Sequence, residues 1–420
     1  MRIEIPFTAL ILLGACSRGV VTAPSPTPGS PARLAAVDSL VVASPAAVGF
    51  DAALPARLDS IVRVGLAQGA APGAALAIGR YGRLVLLKGY GTTDYAAGAP
   101  AADASTIYDL ASLTKVVATT TAAMILEDEG KLDISRTVQS YLPEFNAPDK
   151  AAITVRMLLT HRGGLEAFAP LWKDVRGRAD YLTQINARPL MSAPGTKTVY
   201  SDWDFILMQD VIERITGTTL DAFVAARVFG PLGMTSTRFL PDTTDAALMR
   251  RIAPTELDSL RGQIHGTVHD PNAWALGGVS GHAGLFSTAR DLAVFAQMLQ
   301  NGGSYKGTRI VTTPTLARWT AVQDPHSSRA LGWDTPSDVS SAGRYFSPRS
   351  FGHTGFTGTS IWIDPERGLF VILLMNRVNP RGLATRHVQL RRDVADAVQS
   401  ALRDAPLIDW EARRVSTPSR

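Results

Sequence analysis

The sequence predicts an α+β fold, an antiparallel β-sheet flanked by helices and carrying an inserted, mostly helical subdomain. Strand-like runs stand early in the chain, at residues 75–78 and 84–87 around Tyr81-Gly82. Others stand late, at 359–363 and 369–374 around Asp364-Pro365-Glu366-Arg367-Gly368. Between them, residues 131–240 follow a helical period instead. Strands at both ends with helices between them imply one sheet assembled from the two terminal parts.

The chain has 420 residues, 45% of them hydrophobic and 19% charged, which suits a large globular core and excludes a disordered or fibrous protein. Its net charge is +5, but Lys and Arg are spread without a basic run, so no nucleic-acid partner is expected. Cys16 is the only cysteine, which rules out a disulfide within the chain.

Residues 1–16 read as an export signal: Arg2, an apolar stretch at 5–13 too short to span a bilayer, then small residues. Leu13-Gly14-Ala15-Cys16 resembles the bacterial lipoprotein box, which implies lipid attachment at Cys16 and an exported protein anchored to the cell envelope. Residues 17–50, rich in Pro, Ala and Ser, read as a polyproline-like tether. The folded domain is expected over 51–405, with a tail at 406–420.

Within that domain the periodicity predicts an amphipathic helix over 53–67, the first hairpin, and a helix over 116–129 stopped by Gly130. Helical segments follow at 134–142, 154–159, 205–215 and 220–229. A glycine-rich stretch at 277–284 precedes a helix over 290–299, with Ser287 and Thr288 as candidate caps. The last helix is expected over 384–403, after the C-terminal hairpin.

The chemistry centres on Ser112-Leu113-Thr114-Lys115. Helical positions three apart share a face, so a hydroxyl and an amine stand side by side at the helix start. Ser112 alone also reads as an N-cap. Lys115 fits that reading badly, because a cation in the first turn opposes the helix dipole and a capping box wants Glu or Gln there. These two residues alone do not choose between catalysis and capping.

Tyr200-Ser201-Asp202, just before the helix at 205, and His353-Thr354-Gly355, at the head of the C-terminal hairpin, complete an ordered set. With Ser112-Leu113-Thr114-Lys115 they resemble the serine β-lactamase and penicillin-binding-protein superfamily. The likeness is to its branch of class C β-lactamases, D-alanyl-D-alanine carboxypeptidases and esterases, over about residues 50–405. The stretches 158–165 and 281–288 are also similar to that family. The resemblance implies that Ser112 is the acylated nucleophile, Lys115 its proton partner and Tyr200 the acid/base group. It implies an oxyanion hole from the backbone amides of Ser112 and Phe356, and substrate contacts from His353, Thr354, Gly355 and Asp202. A lysine desolvated there is expected to have a depressed pKa. Arg377 and Arg381 are candidate receptors for a substrate carboxylate, and solvated charges are the bland reading of both.

Most class C β-lactamases carry Lys where His353 stands and Asn where Asp202 stands; the histidine is more like carboxypeptidases and esterases. Ser201 and Asp202 also read as N-caps of the next helix. His265 and His269 lack the glutamate and helix of a zinc protease, and no metal or organic cofactor is expected. His161 and His282 read as loop residues behind the site. The expected activity is acyl-enzyme hydrolysis of D-alanyl peptides or small esters. A true β-lactamase and a non-catalytic penicillin or muropeptide sensor are the alternatives.

Overall fold

The computed structural model describes residues 40–337, 340–381 and 385–411. The export segment, Cys16 and the tether as far as residue 39 lie outside the described residues, as does the tail after 411. Besides two short two-stranded ribbons within residues 257–263 and 304–309, the strands are β1 (Val41–Val42), β2 (Gly73–Arg80), β3 (Arg83–Gly91), β4 (Tyr108–Asp109), β5 (Phe286–Ser287), β6 (Phe351–Thr354), β7 (Ser360–Asp364) and β8 (Leu369–Met375). Helices of two turns or more are α1 (Leu54–Ala67), α2 (Thr121–Asp128), α3 (Arg178–Ala187), α4 (Asp202–Thr216), α5 (Ala289–Gln300), α6 (Thr313–Thr320) and α7 (Arg386–Ser400).

One six-stranded sheet runs β1-β3-β2-β8-β7-β6, antiparallel except for the β1–β3 pair. β2 and β8 meet in the middle with Ala77 opposite Ile372, so the N- and C-terminal hairpins share one hydrogen-bond ladder. Both strands are buried throughout, and alternate side chains enter different cores. Ala74, Leu76, Ile78, Val371 and Leu373 pack with α1 and α7 on one face. Ala75, Ala77, Phe370, Ile372 and Leu374 pack with α2, α4, α5 and α6 on the other. Each Leu or Ile so buried contributes about 1.5–3 kcal/mol relative to exposure. α1 presents Leu54, Leu58 and Val62 to its core, the i, i+4, i+8 stripe expected of an amphipathic helix.

The structure departs from the sequence expectation in several places. The domain starts before residue 51: Val41–Val42 pair with β3, and Val48 and Phe50 are core residues. It also ends later than 405, because Arg344 binds Asp409 and Arg392 binds Glu411. Residues 134–142 form only a single 3₁₀ turn, Val138–Ser140, since Ile134, Val138 and Leu142 are buried from an irregular backbone. α3 was not expected; its polar sequence buries only Tyr181 and Ile185, too sparse a stripe to show a period. The helix after Ser112 opens as a π-helix, Lys115–Thr120, before becoming α2. There the Thr121 hydroxyl bonds Val116 O, five residues back, at 2.9 Å. Such wide turns cluster at functional sites.

Candidate active site

Ser112 stands in a tight turn ahead of the π-helix. Three successive i→i+3 bonds, Leu113 N to Leu110 O, Thr114 N to Ala111 O and Lys115 N to Ser112 O, form this turn. Ala111 before it has φ +46°, a left-handed conformation that a non-glycine residue rarely holds without support. The support is Asp109, a fully buried carboxylate that accepts from Ala111 N at 2.8 Å and His269 N at 2.7 Å. The Ser112 hydroxyl therefore caps no helix; it accepts from Lys115 Nζ at 3.0 Å.

Lys115 is fully buried. Its ammonium donates to Asp202 Oδ1 at 2.7 Å and to His282 O at 3.3 Å, besides Ser112. Burial pulls its pKa down, but the Asp202 charge, with Tyr200 adding to it, outweighs that pull and leaves the pKa raised. The expected depression is thus reversed, and the physical reason is Asp202: an anion at this place holds the proton on Lys115. Ser201 and Asp202 do not cap α4 through their side chains either. The Ser201 hydroxyl donates to Glu166 O at 2.6 Å.

Tyr200 lies over the same spot, with Lys115 Nζ 4.8 Å and the Arg329 guanidinium 5.2 Å from its ring centroid. The His161 ring packs on it at 4.6 Å, and His161 Nδ1 lies 2.9 Å from Asp204 Oδ2. Burial, with the nearby Asp202 charge, pushes the Asp204 carboxyl well above its ordinary range, and this pair backs Tyr200. The glycine-rich loop closes the other side. Thr119 Oγ1 donates to Gly281 O at 2.7 Å, and Leu285 N donates to Thr114 Oγ1 at 3.1 Å. A Cβ on Gly281 would sit 2.1 Å from Phe205 O, which explains that glycine.

The β6–β7 turn docks on the segment before Ser112. Thr357 Oγ1 donates to Asp109 O at 2.7 Å, and Thr359 Oγ1 donates to Leu110 O at 2.9 Å. A Cβ at Gly355 would meet Leu110 O at 2.3 Å, so only glycine allows this approach. Among the described residues neither Ser112 N nor Phe356 N donates to any acceptor, although the carbonyls around both are engaged. Two unspent amides, one from each docked segment, suit an oxyanion.

His353 is buried, and its Nδ1 donates to Thr354 O at 2.8 Å. Burial, then the charges of Arg329 and Lys115, hold its pKa well below the usual value. The ring is neutral, so Nε2, which has no partner among the described residues, offers a lone pair and not a cation. Arg377 is drawn into the turn, with Nε donating to Phe356 O at 2.5 Å and its guanidinium 4.1 Å over the Phe356 ring. Arg381 is exposed and does not line the cleft. Arg329 does line it, with a side chain only 7% exposed whose nearest acidic partner is Asp334 at 3.9 Å. It stands in a loop without a motif, so the sequence carries no signal for it.

The cleft measures about 670 Å³, and its lining includes Ser112, Tyr200, Asp202, Asp270, Arg329 and His353. Phe168 and Phe356 form exposed aromatic walls. Asp202, Asp270 and His282 bring potential metal ligands within 4.8 Å of one another. The Lys115 ammonium already lies against Asp202, while the His282 ring joins Ser280 Oγ at 2.7 Å to Asp270 Oδ1 at 2.9 Å. The His282 carbonyl bonds the ammonium, and the Ser280–His282–Asp270 chain holds that residue in place. His265, in contrast, is spent on Met249 O and Ile252 O.

A family model described as Beta-lactamase matches residues 58–396. The chain belongs to the β-lactamase family. A protein of Salmonella agona (strain SL483), named "Putative D-alanyl-D-alanine carboxypeptidase", is 35% identical over 80% of this chain and 86% of its own. In fold the chain is similar to EstCE1, described as a hydrolase with promiscuous acyltransferase activity. The TM-score is 0.66 at 22% identity, covering 82% of this chain and 98% of that one. It is equally similar to a penicillin-binding protein homologue from Caulobacter crescentus, with TM-score 0.66 at 22% identity over 82% and 97% of the two chains.

The ion pair gives a pH prediction. Asp202 keeps Lys115 protonated, so replacing it by a neutral amide lowers the Lys115 pKa and brings deprotonation to lower pH. The alkaline limb of kcat/KM in Asp202→Asn is therefore expected at lower pH than in wild type. An unmoved limb would show that Asp202 does not set the charge of Lys115.

Proposed function

We propose that this protein is a serine hydrolase that cleaves D-alanyl-terminated peptides as a carboxypeptidase, with small esters as simpler substrates. The observation that carries this reading is the Ser112–Lys115 contact at 3.0 Å beside two unspent backbone amides. The 35% identical relative named for D-alanyl-D-alanine carboxypeptidase supports the substrate class. Ser112 Oγ attacks the scissile carbonyl, forming the Oγ–C bond as the carbonyl oxygen moves onto Ser112 N and Phe356 N. The Ser112 proton passes by way of the Tyr200 hydroxyl, which hands its own proton to the departing amine as the C–N bond breaks, while the Lys115 ammonium stays protonated beside them. Water then attacks the ester carbonyl, the C–Oγ bond breaks, and one proton of the water passes by way of Tyr200 to Ser112 Oγ, which releases the acid and restores the hydroxyl.

The carboxylate of the departing D-alanine is assigned to Arg329, with Thr354 beside it. A neutral His353 presents a lone pair that would repel an anion, and Arg377 already holds the Phe356 carbonyl. Arg329 is a guanidinium that opens on the cleft and stands at 3.9 Å from its one acidic neighbour among the described residues, Asp334, beyond hydrogen-bond distance. For the place of action, the Leu13-Gly14-Ala15-Cys16 pattern and the proline-rich stretch after it support lipid anchoring at the cell envelope.

Hydrolysis of a D-alanyl-D-alanine peptide and of a p-nitrophenyl ester tests the reading. Ser112→Ala is expected to abolish both, and full activity in that variant would overturn the nucleophile assignment. Arg329→Ala is expected to raise KM for the peptide roughly 10-fold or more, the scale of one charge-assisted contact, and to spare the neutral ester. Equal losses on both substrates would assign Arg329 to the chemistry instead. Radiolabelled palmitate is expected in the wild-type chain and not in Cys16→Ser; equal labelling of both would overturn the anchor.

A further inference from the structure

The side chain of Arg391 reaches from α7 to the turn between β6 and β7, at the edge of the cleft that Ser112 also lines. It donates through one terminal nitrogen to Gly355 O and Thr359 O, each at 2.8 Å, and through Nε to Gly358 O at 3.2 Å. It is 7% exposed and forms no ion pair among the described residues. Burial, with the nearby Arg377 adding to it, pushes its pKa down to about 9, so it remains a cation at neutral pH. A buried cation without an anion is costly, and apolar residues of similar size usually serve a core better. Such a broken rule asks for a function.

The covalent geometry of the peptide unit supplies one. In a trans peptide the carbonyl oxygen and the following N–H point in opposite directions within one plane. Gly355 O and Phe356 N belong to the same plane, so a donor gripping Gly355 O fixes the opposite direction in which Phe356 N–H points. The rest of the turn is pinned in the same sense: Arg377 Nε holds Phe356 O at 2.5 Å, and Arg377 N holds Thr357 O at 2.8 Å. Every carbonyl from Gly355 to Thr359 is thus spent on a donor, while Phe356 N is left without an acceptor among the described residues. A charged donor on a carbonyl also polarises its peptide and makes the N–H a stronger donor.

We infer that Arg391 is a positioning residue for the oxyanion hole, acting through the Gly355–Phe356 peptide: its guanidinium fixes and polarises the Phe356 N–H that receives the developing negative charge. This inference rests on the acyl-enzyme reading of Ser112 and adds to it a control from the C-terminal helix. Arg391 touches neither substrate nor nucleophile in this role, so its effect falls on the transition state more than on binding.

The test is steady-state hydrolysis of the p-nitrophenyl ester by full-length wild type, Arg391→Ala and Arg391→Lys, with Ser112→Ala as reference. Losing an oxyanion donor costs roughly 10²–10³ in rate, and loosening one is expected to cost roughly 10–100-fold in kcat with KM little changed. Guanidinium at non-denaturing concentration is expected to restore kcat in Arg391→Ala and to leave wild type unaffected. A folded Arg391→Ala with kcat within about threefold of wild type overturns the inference. So does a loss of kcat that guanidinium does not restore. Should Arg391→Ala fail to fold, Arg391→Lys decides: one ammonium does not span three carbonyls, so reduced kcat at unchanged KM supports the role and wild-type kcat overturns it. Wild-type activity that survives in Ser112→Ala would instead sink the acyl-enzyme reading itself.

Discussion

A fully buried ammonium organises this protein. Removing an ion from water costs several kcal/mol even after relaxation, and that cost is met only by well-placed partners. Among them are the Ser112 hydroxyl, the Asp202 carboxylate and the His282 carbonyl, which Lys115 reaches at once. They arrive from the turn before the π-helix, the start of α4 and the glycine-rich loop. The folded state must bring those three segments together or leave a charge stranded, so the demand that stabilises the site also aligns nucleophile and proton partner.

The sheet supplies what the helical region does not. β6 lies at its edge, and the turn beyond it is tied by Thr357 and Thr359 to the carbonyls just before Ser112. One amide from each side of that junction remains unspent. α1 and α7 cover the far face, and the side chain of Arg391 crosses from α7 to the carbonyls of the same turn. Core packing and oxyanion geometry are therefore coupled through one helix.

Much of this was legible in the sequence because it was local. The hairpin around Asp364-Pro365-Glu366-Arg367-Gly368, the Ser-x-x-Lys spacing and the helix at 289–300 all follow from periods and turn residues within a few positions. Charge and strain were not legible. The sequence suggested a depressed Lys115, but that lysine's pKa is set by Asp202, 87 positions away. Arg329 and Arg391 sit in unremarkable surroundings in the sequence and gain meaning only from the surfaces they reach. The 3₁₀ turn at 138–140 shows the converse: a convincing apolar spacing whose residues are buried without a helix.

The most direct test of the central claim is to trap the intermediate. Full-length protein is incubated with a penicillin, quenched, digested, and mapped by mass spectrometry. The expected result is a single acyl adduct on the peptide containing Ser112. An adduct on another residue, such as Ser280, or hydrolysis that proceeds with no covalent adduct at any quench time, would contradict it.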